Sequence, residues 1–307
     1  MPEPVHPIEI NGQSYVFSRA FGEGNLLDKI RSGMAKPQDM IGAVDLLIET
    51  QGIGASIRDL PDPLNDESYL IRRLETVFLA SLRRNGIEVS QDQEAILRSS
   101  VNLLEPSIRN LHRGIYHDQN PKNVVEGPAG LKIPIDWEVL MRYPLQKDIY
   151  KLILFGDFYI PTNLYNQLIG QVLRGTHEFV APEMNFGDYK REFQRGLYVI
   201  GPSVHLDMAG YASKDEASSR EPYLTAWNRD AQRFHIWYAS CLFNDIYRFA
   251  ERFSIEQDGI FLEAADVLSS IVDDNFPQKS TFTPQIPDVR RPFFRGLFHK
   301  EEHYAFV

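Results

Sequence analysis

The sequence predicts an α+β chain, mainly helical, with a β-hairpin in front and a small β insertion near the middle. Three observations predict it. Asn11-Gly12 separates two extended runs, "PIEI" and "QSYVFSRAF", and supplies the positive φ values that a tight hairpin turn needs. Apolar residues recur at helical spacing through most of the chain, from "PQDMIGAVDLLIETQG" to "DGIFLEAADVLSSIVDDN". Between these stretches, "GIYHD", "KNVVE" and "LKIPID" are short extended runs, the last two joined by the turn "EGPAG".

Each element has its own signal. After the hairpin, "GEGNLLDKIRSG" gives a Gly-rich turn and a short helix stopped at Gly33. Pro37 opens the next helix, with Ile41, Val44 and Ile48 on one face. "ESYLIRRLETVFLASLRRNG" carries the stripe Leu70, Leu74, Val77, Phe78 and Leu82, closed by Gly86. Ser90 and Gln93 form a capping-box pattern ahead of a helix that Pro106 is expected to bend or interrupt. Beyond the β insertion, "LQKDIYKLILF", "PTNLYNQLIGQVLRG", "DYKREFQRGLYVIG" and the aromatic segment from Leu224 to Phe253 again read as helices. After Phe276 the chain is rich in Pro, Phe and Arg, with no clear period.

Composition narrows the function classes. A formal charge of −10 argues against non-specific nucleic-acid binding, which relies on Lys and Arg. No apolar run approaches the 18 or so residues of a spanning helix, so no membrane segment is expected. "MPEPVHPIEI" has neither the basic nor the apolar region of a signal peptide. The single cysteine, Cys241, lies in an apolar helix and excludes an internal disulfide framework. A cytoplasmic protein is the expectation.

The chemistry concentrates between Tyr116 and Glu138, "YHDQNPKNVVEGPAGLKIPIDWE". Phosphoryl transfer needs a carboxylate to orient and deprotonate the attacking hydroxyl, and oxygen ligands for Mg²⁺. Asp118, Asn123 and Asp136 supply two acids and an amide on what reads as loop and hairpin. Taken singly, Asp118 and Asn123 are ordinary turn formers and Asp136 a strand-end acid. Coupled to "LHRGI" before, "NVV" after and "IDWE" further on, they resemble the catalytic segment of the protein-kinase-like superfamily, nearest to its aminoglycoside phosphotransferase and choline kinase branch.

That resemblance implies a role for each residue. Asp118 is the catalytic base, Asn123 a Mg²⁺ ligand and Asp136 the principal Mg²⁺ ligand, with Glu138 assisting through water. Asp148 braces the catalytic loop from the next helix. Tyr116 stands where the family usually has His, and His117 directly precedes Asp118; both are supporting positions. The implied cofactors are Mg²⁺ and ATP, and the acceptor is a hydroxyl of a small molecule, because the segment after Asp136 turns helical too soon for an activation loop.

The resemblance divides the chain into a remnant of N-lobe strands and hinge over residues 1–24, a helical kinase-like C-lobe over 25–276, and a tail over 277–307. Phe17, Ser18, Arg19 and Ala20 fall in the hinge facing the nucleotide. The family's Gly-rich phosphate loop, strand lysine and paired glutamate have no counterpart before Val5, and Lys29 and Lys36 read as solvated. Three accounts follow: a shortened N-lobe, a protein partner or a preceding segment of a longer protein that completes the nucleotide site, or a catalytically inactive kinase-like interaction protein. Among the aromatics, Trp227, Trp237 and Tyr238 are candidates for a cation-accepting wall, although their spacing also suits a helical core.

Overall fold

Most of the apolar stripes become helices that bury those stripes against one another. The computed structural model describes residues 8–10, 13–15, 25–31, 34–55, 57, 59–127, 132–134, 140–153, 162–218, 222–253 and 255–276. Strands β1 (Ile8–Ile10) and β2 (Gln13–Tyr15) pair antiparallel, Ile8 opposite Tyr15, as the hairpin reading expects. Helix α1 (Leu26–Arg31) matches the expected short helix, and Gly33 lies outside the described residues. In α2 (Pro37–Ala55) the first turn is closed by Asp39 accepting from the Lys36 amide at 2.8 Å.

Helix α3 (Tyr69–Arg73) runs through a π-helical stretch, Leu74–Leu79, into α4 (Ala80–Arg84). All five stripe residues are buried, and Gly86 adopts a left-handed φ of +70° at the stop. The π-helical stretch lies against the backbone of α8 (Phe186–Ser218): a Cβ on Gly210 would sit 2.7 Å from the Val77 carbonyl oxygen. Only a glycine allows that approach.

Helix α5 (Gln91–Arg109) begins at the expected capping box, with both reciprocal bonds formed between Ser90 and Gln93. It does not stop at Pro106, which lies inside the helix one turn from its end. The insertion then supplies β3 (Arg113–Tyr116), β4 (Val124–Glu126), β5 (Lys132–Pro134) and β6 (Met141–Pro144). β4 pairs with β5, while β3 pairs with β6, a strand that "MRYP" does not announce.

Helices α6 (Gln146–Leu152), α7 (Thr162–Val180), α9 (Pro222–Arg248), α10 (Ala250–Phe253) and α11 (Ile260–Asn275) complete the described elements. α9 packs between α8 and α11, and α2 packs on α7 and β3. The result is α+β and mostly helical, with small two-stranded sheets. No helix among the described residues is long and apolar enough to cross a membrane. Tyr238 is buried and Trp237 packs on the core, with the Phe234 and Tyr238 rings stacked at 5.7 Å. They are core residues, not an open wall; the Trp227 side chain lies outside the described residues.

Candidate functional site

The site is built from β3 outward. Among the described residues β3 pairs with β6 alone, and on its other side a side chain takes the place of a strand. Gln51 of α2 accepts from the Ile115 amide through Oε1 and donates to its carbonyl through Nε2, both at 2.7 Å. A Cβ on Gly114 would lie 2.5 Å from that Oε1, so the glycine leaves room for the clamp. The chain then leaves the strand at Tyr116 in a fixed direction.

Asp118 is the only non-glycine residue with positive φ among the described residues, at +60°. For an aspartate this left-handed conformation costs about 1–2 kcal/mol unless neighbours fix it. Two carboxamides do so. Asn120 and Asn123 both donate through Nδ2 to the Asp118 carbonyl oxygen, at 3.2 and 3.0 Å. The two asparagines are not equivalent. The other end of Asn120 accepts from the Lys122 amide at 3.1 Å and caps the short 3₁₀ turn Pro121–Asn123. Among the described residues Asn123 bonds only through its nitrogen, which leaves its carboxamide oxygen as the end able to meet a cation.

The Asp118 carboxylate is held through Oδ1, which accepts from the Tyr116 hydroxyl at 3.0 Å and from Lys151 of α6. Burial alone would raise its pKa. The Lys151 ammonium, its hydrogen bond and that of Tyr116, with Lys147 behind them, outweigh burial and hold the carboxyl below the usual range. Asp148, also on α6, has the opposite fate. It accepts from the Gln119 amide at 3.1 Å, so α6 contacts the backbone directly after Asp118. Complete burial, then the charge of Asp118, pushes its pKa up to about 8. Its Oδ2 is buried without a hydrogen-bond partner among the described residues. The two neighbouring carboxyls are thus shifted in opposite directions.

His117 is buried, and that burial lowers its pKa. Gln119 ties the loop to α2 by donating to the Ala43 carbonyl at 2.7 Å. The structure therefore brings together Tyr116, His117, Asp118, Asn123 and Asp148. Asp136, Glu138, Phe17, Ser18, Arg19 and Ala20 lie outside the described residues. Among the described residues no three His, Cys, Asp or Glu side chains gather to hold a metal.

Sequence reasoning missed several charged groups. Lys151 is one, because a lysine on an amphipathic helix reads as solvated until the loop it faces is known. One turn earlier, Lys147 is buried with its ammonium 4.9 Å from the centre of the Tyr116 ring. Lys29 also differs from expectation: it pairs with Glu126 of β4 and approaches Asp39 at 3.9 Å, alongside Lys132, which bonds both acids. Lys36 is exposed, as read. That ion-pair group pins the β4–β5 hairpin to α1 and α2. The sequence matches no protein-family model and no curated protein.

Proposed function

We propose that this chain is a kinase-like phosphotransferase that moves a phosphoryl group from a nucleotide such as ATP to a hydroxyl of a small molecule, with Asp118 as the base. One observation carries the reading. Asp118 sits in a left-handed turn fixed by two asparagines, and its carboxylate is kept ionised by Lys151 and Tyr116. A carboxylate maintained as an anion and partly exposed can orient an alcohol and take its proton as the oxygen attacks. In that step the acceptor oxygen bonds to the γ-phosphorus, the bond from phosphorus to the bridging oxygen breaks, and the nucleoside diphosphate leaves with that electron pair. The proton passes from the acceptor to Asp118.

Asn123 fits a Mg²⁺ ligand, since its amide nitrogen is anchored and its oxygen has no hydrogen bond among the described residues. Asp136 and Glu138 are proposed beside it from the sequence. When bound, Mg²⁺ would neutralise charge on the phosphates. Lys151 lies close enough to Asp118 to compensate charge where the phosphoryl group passes, and Asp148 keeps the loop backbone in register.

The test is nucleotide-dependent thermal stabilisation with ATP and Mg²⁺, together and apart, on wild type and Asp136→Ala. The expected result is a shift that requires both ligands and vanishes in the variant. No shift in the wild type would sink the reading for this chain alone and direct attention to a partner that completes the nucleotide site.

A further inference from the structure

Between α3, α5, α6, α8 and β6 lies a small cavity, half of its lining apolar, whose polar residues are Arg73, Tyr143, Lys147, Ser203 and Asp207. Its charges do not balance locally. Asp207 is the one carboxylate in the wall, and it serves two cations. Arg73 donates to it through Nε at 3.1 Å and approaches it through Nη2 at 3.0 Å; Lys147 reaches Oδ2 at 3.4 Å. Lys147 has no second carboxylate in hydrogen-bond reach among the described residues. Its ammonium instead lies 4.7 and 4.9 Å from the Tyr143 and Tyr116 ring centres. A buried ammonium that shares its only anion, with rings making up the difference, has capacity for a further anion.

A second observation points into the same space. The Ser203 hydroxyl is buried and has no hydrogen-bond partner among the described residues. Helical hydroxyls usually bond back to the preceding turn, as Thr176 does to the Val172 carbonyl at 2.7 Å. Ser203 leaves a donor for something in the cavity. The cavity holds about 10 Å³, room for one water-sized group. An oxygen of a carboxylate fits such a space better than a whole tetrahedral phosphate.

Position completes the case. Lys147 and Lys151 are four residues apart on α6, so they project from one face about 6 Å apart along the axis. Lys151 marks the base and Lys147 marks the cavity. We propose that this cavity is an acceptor subsite for a carboxylate, so that the natural acceptor is a hydroxy acid whose hydroxyl and carboxylate are separated by roughly one helical turn. The proposal rests on the phosphotransferase reading for the word acceptor, but the anion site itself does not. It runs against a polycationic acceptor, which three basic side chains at Arg73, Lys147 and Lys151 would repel.

The experiment is isothermal titration of the full chain, without nucleotide, with 4-hydroxybutyrate, 4-amino-1-butanol and 1,4-butanediol. Saturable binding of 4-hydroxybutyrate alone is expected. It should weaken roughly tenfold in Lys147→Met and by a smaller factor in Ser203→Ala, as loss of a charged and a neutral hydrogen bond predicts. Ser203→Ala keeps the test decisive should Lys147→Met fail to fold. No binding, equal binding of the ammonium compound, or binding indifferent to both substitutions overturns the proposal; an ordered water filling the cavity is then sufficient. Loss of the Mg²⁺–ATP shift with 4-hydroxybutyrate binding intact would instead remove the phosphotransferase reading and leave the anion site standing.

Discussion

The loop from Tyr116 to Asn123 and the packed face of α8, α9 and α11 are both largely buried, yet they are held by opposite kinds of force. In the helical face, Phe243, Ile246, Phe261 and Leu268 are almost fully enclosed, and the Tyr198 and Phe253 rings stack at 4.6 Å. Such contacts are many, weak and non-directional, so geometry is set by volume. In the loop, His117, Gln119, Asn120 and Asn123 are buried as well, and the last three are fixed by directional bonds to backbone. The difference separates roles: one region supplies stability that tolerates small adjustments, and the other fixes the orientation of one carboxylate.

Substitutions can break this comparison at either end. The largest effect is expected for Asp118→Asn, which keeps the turn-forming geometry but removes the base. Phosphoryl transfer should fall by about 10²–10⁴-fold, a larger effect than the stability lost with the Lys151 ion pair; unchanged turnover would mean that the loop's polar packing serves the fold alone. Phe243→Ala should do the reverse, lowering stability by about 3–5 kcal/mol in denaturant unfolding with the site chemistry retained by the folded fraction.

Asp148→Asn sharpens the comparison through pH. The pKa of Asp148 is raised to about 8 in the fold, so between its ordinary unfolded value near 4 and about 8 the folded state holds a proton that the unfolded chain has released. Its contribution to stability is fully present below the unfolded value and is lost as pH rises through that window. Melting curves from pH 5 to pH 8 should show a flatter slope for Asp148→Asn, the variant gaining most over wild type at pH 8. Asp118 has the opposite sign: its lowered pKa gives stability above its unfolded value that disappears on acidification. The smallest effect is expected at Ser90→Ala, about 1 kcal/mol for the lost cap on α5, with no change at the site.

How much of this could be read from the residues alone follows the same division. Helices with an apolar stripe, the Asn11-Gly12 hairpin and the Ser90–Gln93 cap announce themselves because their causes lie within a few residues. Tyr116, Asp118 and Asn123 were legible as a cluster for the same reason. Pro106 does not end α5, although its ring nitrogen cannot donate to the Asn102 carbonyl one turn back. β6 was silent because four residues ending in proline carry no period. Lys147, Lys151, Arg73 and Asp207 were invisible as a group because they come from three helices, and a charge on a helix carries no sign of what it will face.

The Gln51 clamp has a consequence for the order of events when the chain folds. It joins residues 64 positions apart, and without it one side of β3 presents unsatisfied backbone groups. A contact of that span is slow to form, since the intervening chain has to give up its freedom first. The turn that carries Asp118 is therefore expected to gain its full order only once α2 has docked, and a fragment beginning at α5, which contains every residue of the loop, lacks the Gln51 and Ala43 anchors.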